Sequence, residues 1–425
     1  MKKALLYSLF VLKVCYAVDA QRYIDKKTQH RFAQTYIGLN TLINPSSGEL
    51  FVSDQSQSFP SMVTPRFTIG GLHFWGKWDF KLNFPLVRLG DFELTDHVNM
   101  DFTTGAEFGA RYYPWRIKYG KVRPFFGFMI NEMSLAIEDK TIGSRTDFFM
   151  STNLVSGISY AKNDWQFNAE WNWLPQQSRT FYSPDFQKRQ YKLPANYFSF
   201  GLVKYFDGTL REEERKLNGE TRKLEEKMRN EGKLNSFSLA IAPSGAYFLK
   251  SPSMKGANRL SLPRHKYKFN WDVGVGYLFH DPGIHISFSY RGYTSTVESY
   301  EKEHIVKRGS YAIEGFKYLW DYNGFVPFIG PSISYERWAV GEFEGDDQLG
   351  ETAQTRMISV GVLFGWDILA SPLETWVLRT NLRYYPFQRI NDSDGTKTRV
   401  DQFEFNFIQL VLYPNRMKNI APWRS

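Results

Sequence analysis

The sequence predicts an all-β fold, a transmembrane antiparallel up-and-down β-barrel of about sixteen strands. Three observations carry that prediction: segments that alternate apolar and polar residues, connections that alternate long and short, and an aromatic content of 17%. Successive side chains of a strand point to opposite faces. WQFNAEWNWLP (165–175) therefore has a dry face of Trp165, Phe167, Ala169, Trp171 and Trp173, and a wet face of Gln166, Asn168, Glu170 and Asn172. A soluble sandwich would bury the aromatics and leave Glu170 in water. A membrane barrel would turn the aromatics to lipid and Glu170 to its lumen.

The chain opens MKKALLYSLFVLKVCYAVDAQ. Lys2 and Lys3, a short apolar run over 4–14, and Val18-Asp19-Ala20 before Gln21 have the form of a secretory signal peptide covering 1–20. Leu12-Lys13-Val14-Cys15 departs from a lipoprotein box, which wants small residues there. Cys15 is the only cysteine, so the mature chain has no disulfide and no thiol chemistry. No later stretch approaches 18 uninterrupted apolar residues, which leaves strands rather than helices to cross a membrane. The formal charge is +9, of which the signal carries +2, and both signs are spread throughout; this does not point to nucleic acid. Anionic lipid head groups are the milder implication.

The candidate strands fall at roughly 34–44, 66–76, 77–87, 100–113, 121–136, 147–161, 163–174 and 196–206. A second set falls at roughly 235–249, 269–280, 283–292, 309–320, 324–339, 355–366, 373–385 and 401–413. Most reach the 9–11 residues that a tilted strand needs to cross a bilayer, against about 5–6 for a globular strand. WDFKLNFPL (78–86) opposes Trp78, Phe80 and Leu82 to Asp79 and Lys81; IHISFSYR (284–291) opposes Phe288 and Tyr290 to His285, Ser287 and Arg291. WVLRTNLRY (376–384) opposes Trp376 and Leu378 to Arg379 and Arg383; FEFNF (403–407) opposes Phe403 and Phe405 to Glu404. These parities assign Asp79, Lys81, Glu170, Arg291, Arg379, Arg383 and Glu404 to a lumen, and Trp78, Trp165, Trp171, Trp173, Phe288, Trp376, Phe403 and Phe405 to lipid. A Lys or Arg on the lipid face near the midplane costs about 2–4 kcal/mol, which explains the sorting.

Long connections (45–65, 88–99, 175–195, 250–268, 293–308, 340–354, 386–400) and a medium one (137–146) alternate with short ones at Gly76, 116–120, Lys162-Asn163, 281–283, 321–324 and 367–372. Membrane barrels have long outer loops and short turns on the other side. Internal similarity appears as well: PFFGF (124–128) with PFIGP (327–331), WQFNAEWNWLP with WVLRTNLRYYP (376–386), and FGLVKYF (200–206) with FIQLVLY (407–413). The chain thus divides into a unit at 21–206, a charged connector at 207–233, a second unit at 234–414 and an extension at 415–425. The connector is rich in helix formers, with i,i+4 pairs Glu212/Lys216 and Glu225/Arg229. A solvated helix is expected there, with docking of an envelope partner as the other reading. The Gly70-Gly71 pair inside a strand suggests a bulge or bend.

On this alternation, on the loop asymmetry and on the aromatic closing strands 197–206 and 403–413, nearly all of the mature chain resembles the outer-membrane β-barrel proteins of Gram-negative bacteria. The resemblance implies Sec-type export with cleavage near Ala20-Gln21, placement in the outer membrane and recognition by the barrel-assembly machinery. NRMKNIAPWRS (415–425) departs from that family, whose signal usually ends at the chain terminus.

Sixteen strands leave an aqueous channel, whereas eight leave just enough room for side chains. One sixteen-strand barrel made by duplication is the preferred arrangement, with two tandem eight-strand barrels as the alternative. The matching function is a passive channel for small polar solutes, with Arg379 and Arg383 favouring anions; the alternative is a closed accessory subunit acting through loops and connector. No enzyme is expected. His285 and Ser287 share a lumen face, with Glu336 or Glu404 available as an acid, but no nucleophile turn accompanies them. NDSDGTK (391–397) offers Asp392, Asp394 and Gly395 but no closing Glu, and is a turn rather than a calcium loop. No metal, cofactor or phosphate site is expected.

Overall fold

Where lipid replaces water, a sheet satisfies its backbone polar groups by closing on itself. The computed structural model describes residues 33–420 except 46–47, 53–54, 60, 87–90, 96–97, 119, 176, 185–186, 208–218, 251–261, 301, 322–324, 346, 369–372 and 393–394. The expected signal peptide, the Glu212/Lys216 pair, Asp394 and residues 421–425 lie outside the described residues.

The first unit supplies β1 (Gln34–Asn44), β2 (Met62–His73), β3 (Trp78–Pro85), β4 (Val98–Tyr112), β5 (Val122–Asp139), β6 (Gly143–Lys162), β7 (Trp165–Trp173) and β8 (Asn196–Asp207). Each pairs antiparallel with the next, and β8 returns to β1 over Gln34↔Asp207 to Ile43↔Phe198. The second unit supplies β9 (Ser236–Lys250), β10 (Tyr267–Phe279), β11 (Ile284–Tyr300), β12 (Lys302–Tyr318), β13 (Phe325–Glu344), β14 (Ala353–Ile368), β15 (Trp376–Asn391) and β16 (Lys397–Leu412). Here β16 returns to β9, from Leu239↔Leu412 to Lys250↔Asp401. The all-β antiparallel barrel class is therefore the one that forms. The preferred ring of sixteen is corrected to its alternative, two eight-strand barrels, because each last strand bonds to the first strand of its own unit. The internally similar segments lie on the fifth, seventh and eighth strands of each barrel.

The outer walls are inverted relative to a soluble protein, in which large apolar residues are buried. On β7, Trp165, Phe167, Trp171 and Trp173 are 40–46% exposed, while Gln166, Asn168, Glu170 and Asn172 are at most 4% exposed. Leu39, Phe126, Ile286, Ile313 and Ile358 stand exposed on other strands of the two walls. Such a belt belongs in hydrocarbon.

The long connection expected at 293–308 extends the wall instead, and so does the segment between the fifth and sixth strands. Residues 293–299 pair with 302–308 as the two sides of a tall hairpin, up to Ser299↔Lys302, and 137–146 narrows to a turn between β5 and β6. Alternation continues there, with Val297 and Val306 inward, but polar residues stand outside because the strands have risen past the lipid. Gly70 produces no bulge: β2 keeps continuous register with β1, and a Cβ at Gly70 would lie 2.5 Å from the Tyr36 ring, so the glycine makes room for a lumen aromatic. At the other end, Asn163 and Asp164 both take positive φ (50° and 64°) in the two-residue turn before Trp165.

The barrels touch side by side along much of their height. At the short-turn end His73 and Phe74 meet Phe325, and higher up Phe80 meets Trp366. Phe108 packs on Tyr247 and Phe405, with ring centroids 5.7 and 5.8 Å apart. At the long-loop end β6 and β11 pair at Ser144↔Tyr300 and Arg145↔Ser299. Phe405, expected against lipid, instead lies half-buried in this seam.

The connector helix α1 (Gly219–Asn230) ends at Gly232, whose φ of 66° closes a Schellman turn: Lys233 N–H donates to Met228 O and Gly232 N–H to Arg229 O. Glu225 and Arg229 pair at 3.2 Å as expected. The helix is not fully solvated, however. Met228 and Leu234 are buried against Leu373, in the turn between β14 and β15. The extension forms α2 (Pro414–Ile420), and its buried Arg416 donates to Ser236 Oγ, Leu234 O and Glu374 O. Connector and extension thus make a plate across the short-turn end of the second barrel. Burial, with Arg416 and Arg229 nearby, pulls the His280 imidazole beneath this plate down to about 4.

Candidate functional site

Charged residues on the inner parity of a narrow barrel must find partners, because a buried unpaired charge is costly. In the first barrel Glu170 accepts from Lys81 Nζ at 2.7 Å, Arg111 Nη1 at 2.5 Å and Ser199 Oγ at 3.1 Å. Arg111 also pairs with Asp79, which accepts from Tyr36 OH at 2.6 Å. One layer nearer the loops, Arg66 binds Glu107 at 2.6 Å and Asn40 at 3.0 Å, and Asn83 donates to Glu107 at 2.8 Å. Arg123 stacks on Tyr113 nearer the turns. Asp79, Lys81, Glu107, Glu170, Arg66 and Arg111 are all buried, three acids against three bases.

The second barrel repeats the scheme with other residues. Arg291 contacts Glu314 at 3.0 Å, Glu404 at 2.9 Å and Tyr385 OH at 2.8 Å. Arg383 bridges Glu314 and Asp272, each at 2.9 Å. Arg308 grips Glu336 with two bonds of 2.7 and 2.8 Å and also reaches Glu404. Arg379 holds Asp367 with bonds of 2.7 and 2.8 Å. The predicted bias of Arg379 and Arg383 toward anions is thereby corrected, since acids already neutralise both. A cavity of about 10 Å³ beside His285 and Ser287 has room for about one water.

All seven sequence-assigned lumen charges point inward and join these networks. Trp78, Trp165, Trp171, Trp173, Phe288 and Trp376 stand exposed on the outer walls, whereas Phe403 is half-buried there and Phe405 is in the seam. Lys204 reaches over the Trp165 ring at the short-turn end. Sequence reasoning missed the partners Arg66, Glu107, Arg111, Asp272, Arg308, Glu314 and Asp367. Their signal was the parity they share with inward neighbours such as Ser310 beside Arg308. His285 does not assemble a catalytic set: its Nε2 meets Ser238 Oγ at 2.9 Å, its ring stacks on Phe316, and Glu336 and Glu404 are held by Arg308. In the connection from β15 to β16, Gly395 N–H donates to Asp392 O at 2.9 Å, while residues 393–394 lie outside the described residues.

No family model and no curated protein matches the sequence. Among solved structures, Neisserial surface protein A is 14% identical over 42% of this chain and 97% of its own, with a TM-score of 0.29. Ail, the attachment invasion locus protein of Yersinia pestis, is 14% identical over 42% and 96%, with a TM-score of 0.27. The COG4313 outer membrane channel from Pseudomonas putida F1 is 8% identical over 92% and 99%, with a TM-score of 0.23. Likenesses this low carry no argument about activity.

Proposed function

We propose that this protein is a non-enzymatic, integral outer-membrane scaffold: two closed barrels that carry loops on one side and a helical plate on the other. The single observation behind this reading is the filling of both lumens by buried ion pairs that bond from wall to wall. A solute would have to break Lys81–Glu170 and Arg111–Glu170 in one barrel, or Arg291–Glu404 and Arg308–Glu404 in the other. Breaking a buried pair costs about 3–5 kcal/mol, so a passive polar channel is the weaker reading. The parts left to act are outside the lumens. Around the first barrel's mouth, strands at Glu49–Val52, Gln55–Gln57, Ser178–Tyr182 and Lys188–Lys192 form a separate four-stranded sheet. Below the second barrel, the plate presents the exposed Lys223, Glu226 and Arg229 to the periplasm. Planar-bilayer recording of the full chain is the test: closed lumens give no conductance steps above the lipid background. Stable, ion-selective steps abolished by a bulky lumen substitution would restore the channel.

A further inference from the structure

At the long-loop mouth of the second barrel lies a polar cluster that belongs to neither lumen network. His304 near the start of β12 and Glu342 near the end of β13 face each other directly across the ladder. Asp392, in the turn after β15, comes to them across the mouth, held by its N–H donating to Thr396 O at 2.8 Å. The three are 0%, 6% and 1% exposed. One donor atom from each lies within 4.8 Å of the others, and His304 Nε2 stands 3.6 Å from Asp392 Oδ1. An apolar layer that includes Val306, Val340, Ile390 and Val400 packs below them.

The other ring nitrogen of His304 is engaged by a second histidine. Nδ1 is 2.8 Å from Nε2 of His265, and His265 Nδ1 is 2.8 Å from Ser295 Oγ. When His265 donates to Ser295, its Nε2 accepts and His304 donates from Nδ1, which makes Nε2 of His304 a lone pair. Nε2, on the side of the carboxylates, has no hydrogen-bond partner among the described residues. Metal-bound histidines have this arrangement: one nitrogen is open, and the other donates into an orienting chain.

We propose that His304, Glu342 and Asp392 bind a divalent first-row transition-metal ion of the zinc class, with His265 and Ser295 orienting His304. One imidazole nitrogen and two carboxylate oxygens suit such an ion better than a purely oxygen-seeking one. Metal–ligand bonds of about 2.0–2.1 Å place tetrahedral ligands roughly 3.4 Å apart. The His304–Asp392 separation is already near that, and the Glu342 carboxylate lies within 4.8 Å of both. The three protein ligands leave the fourth position to water. Bound there, the ion ties β12, β13 and β15 together across the mouth. This inference is independent of the scaffold reading.

Cobalt(II) titration of the refolded full-length protein in detergent tests it. One equivalent gives a ligand-field absorption band that zinc displaces. Glu342→Gln and Asp392→Asn each weaken binding more than about tenfold, and His265→Gln weakens it about 10–100-fold. Heat-modifiable electrophoretic mobility shows that each variant has closed its barrels. Should a variant misfold, the wild-type titration still decides. A wild-type protein without the band overturns the proposal and leaves the cluster as an imidazolium–carboxylate pair. Binding of equal affinity in the folded Glu342→Gln and Asp392→Asn proteins overturns it too, as a site elsewhere on the surface.

Discussion

Replacing Glu170 by Gln removes the charge that holds both Lys81 and Arg111 inside the first barrel. Arg111 keeps Asp79. Lys81 loses the carboxylate that stands 2.7 Å from its ammonium. Removing one member of a buried pair costs about 3–5 kcal/mol, because the other charge stays buried. Glu170→Gln should therefore destabilise by that amount. Lys81→Met should cost less, about 1.5–3 kcal/mol, since Glu170 retains Arg111 and Ser199. The double variant should recover part of the loss, with a coupling energy of about 2 kcal/mol, as expected for side chains in contact. Guanidinium unfolding and refolding in lipid vesicles, followed by tryptophan fluorescence, measures all three. A loss below about 1 kcal/mol for Glu170→Gln is the value of an exposed pair. That result would mean that water solvates Lys81 and Arg111, and a water-filled lumen is what a channel requires.

Residues 21–207, refolded alone in detergent, should give a compact, heat-modifiable species, because β8 closes on β1 without help from the second barrel; aggregation of that half would refute independent closure. Phe288→Arg, on an outward position of β11, should cost about 2–4 kcal/mol near the midplane, whereas a cost near zero would place Phe288 outside the lipid. Met228→Asp should detach α1 from Leu373 and open the 219–235 segment to limited proteolysis, with both barrels still protected. The plate should also loosen as pH falls. The folded His280 titrates near 4 and its unfolded counterpart near 6.5, so its contribution is complete above about pH 6.5 and fades toward pH 4. His280→Asn should flatten that profile.

Strand parity made the seven lumen charges and most of the lipid-facing aromatics legible, because a two-residue period leaves one choice of face once one residue is placed. Strand ends were less legible. In 293–308 the outer positions turn polar above the lipid, so the contrast that marks a membrane strand fades although the ladder continues. Phe405 shows a second limit: lipid and a neighbouring barrel are both apolar, and a phenylalanine suits either. His304, Glu342 and Asp392 share no local motif, being contributed by the ends of three strands, and only closure of the barrel brings them together.

The number of barrels was hidden for a related reason, yet the charges do record it. Lys81 on β3 bonds to Glu170 on β7, and Arg308 on β12 to Glu404 on β16, each four strands away. With strands about 4.8 Å apart and tilted about 40°, eight of them make a ring roughly 16 Å across its backbones. Four strands is then half the circle, and a long basic side chain meets an acid from the opposite wall. Around a ring of sixteen, roughly 32 Å across, four strands is a quarter-turn and a chord of about 23 Å. Two extended side chains cannot bridge that distance. The same charges would then face water singly, with no reason to be matched in sign at an interval of four strands. Complementary inward charges at that interval are thus a property of narrow, filled barrels, and they tie the barrel count to the closed state of the lumen.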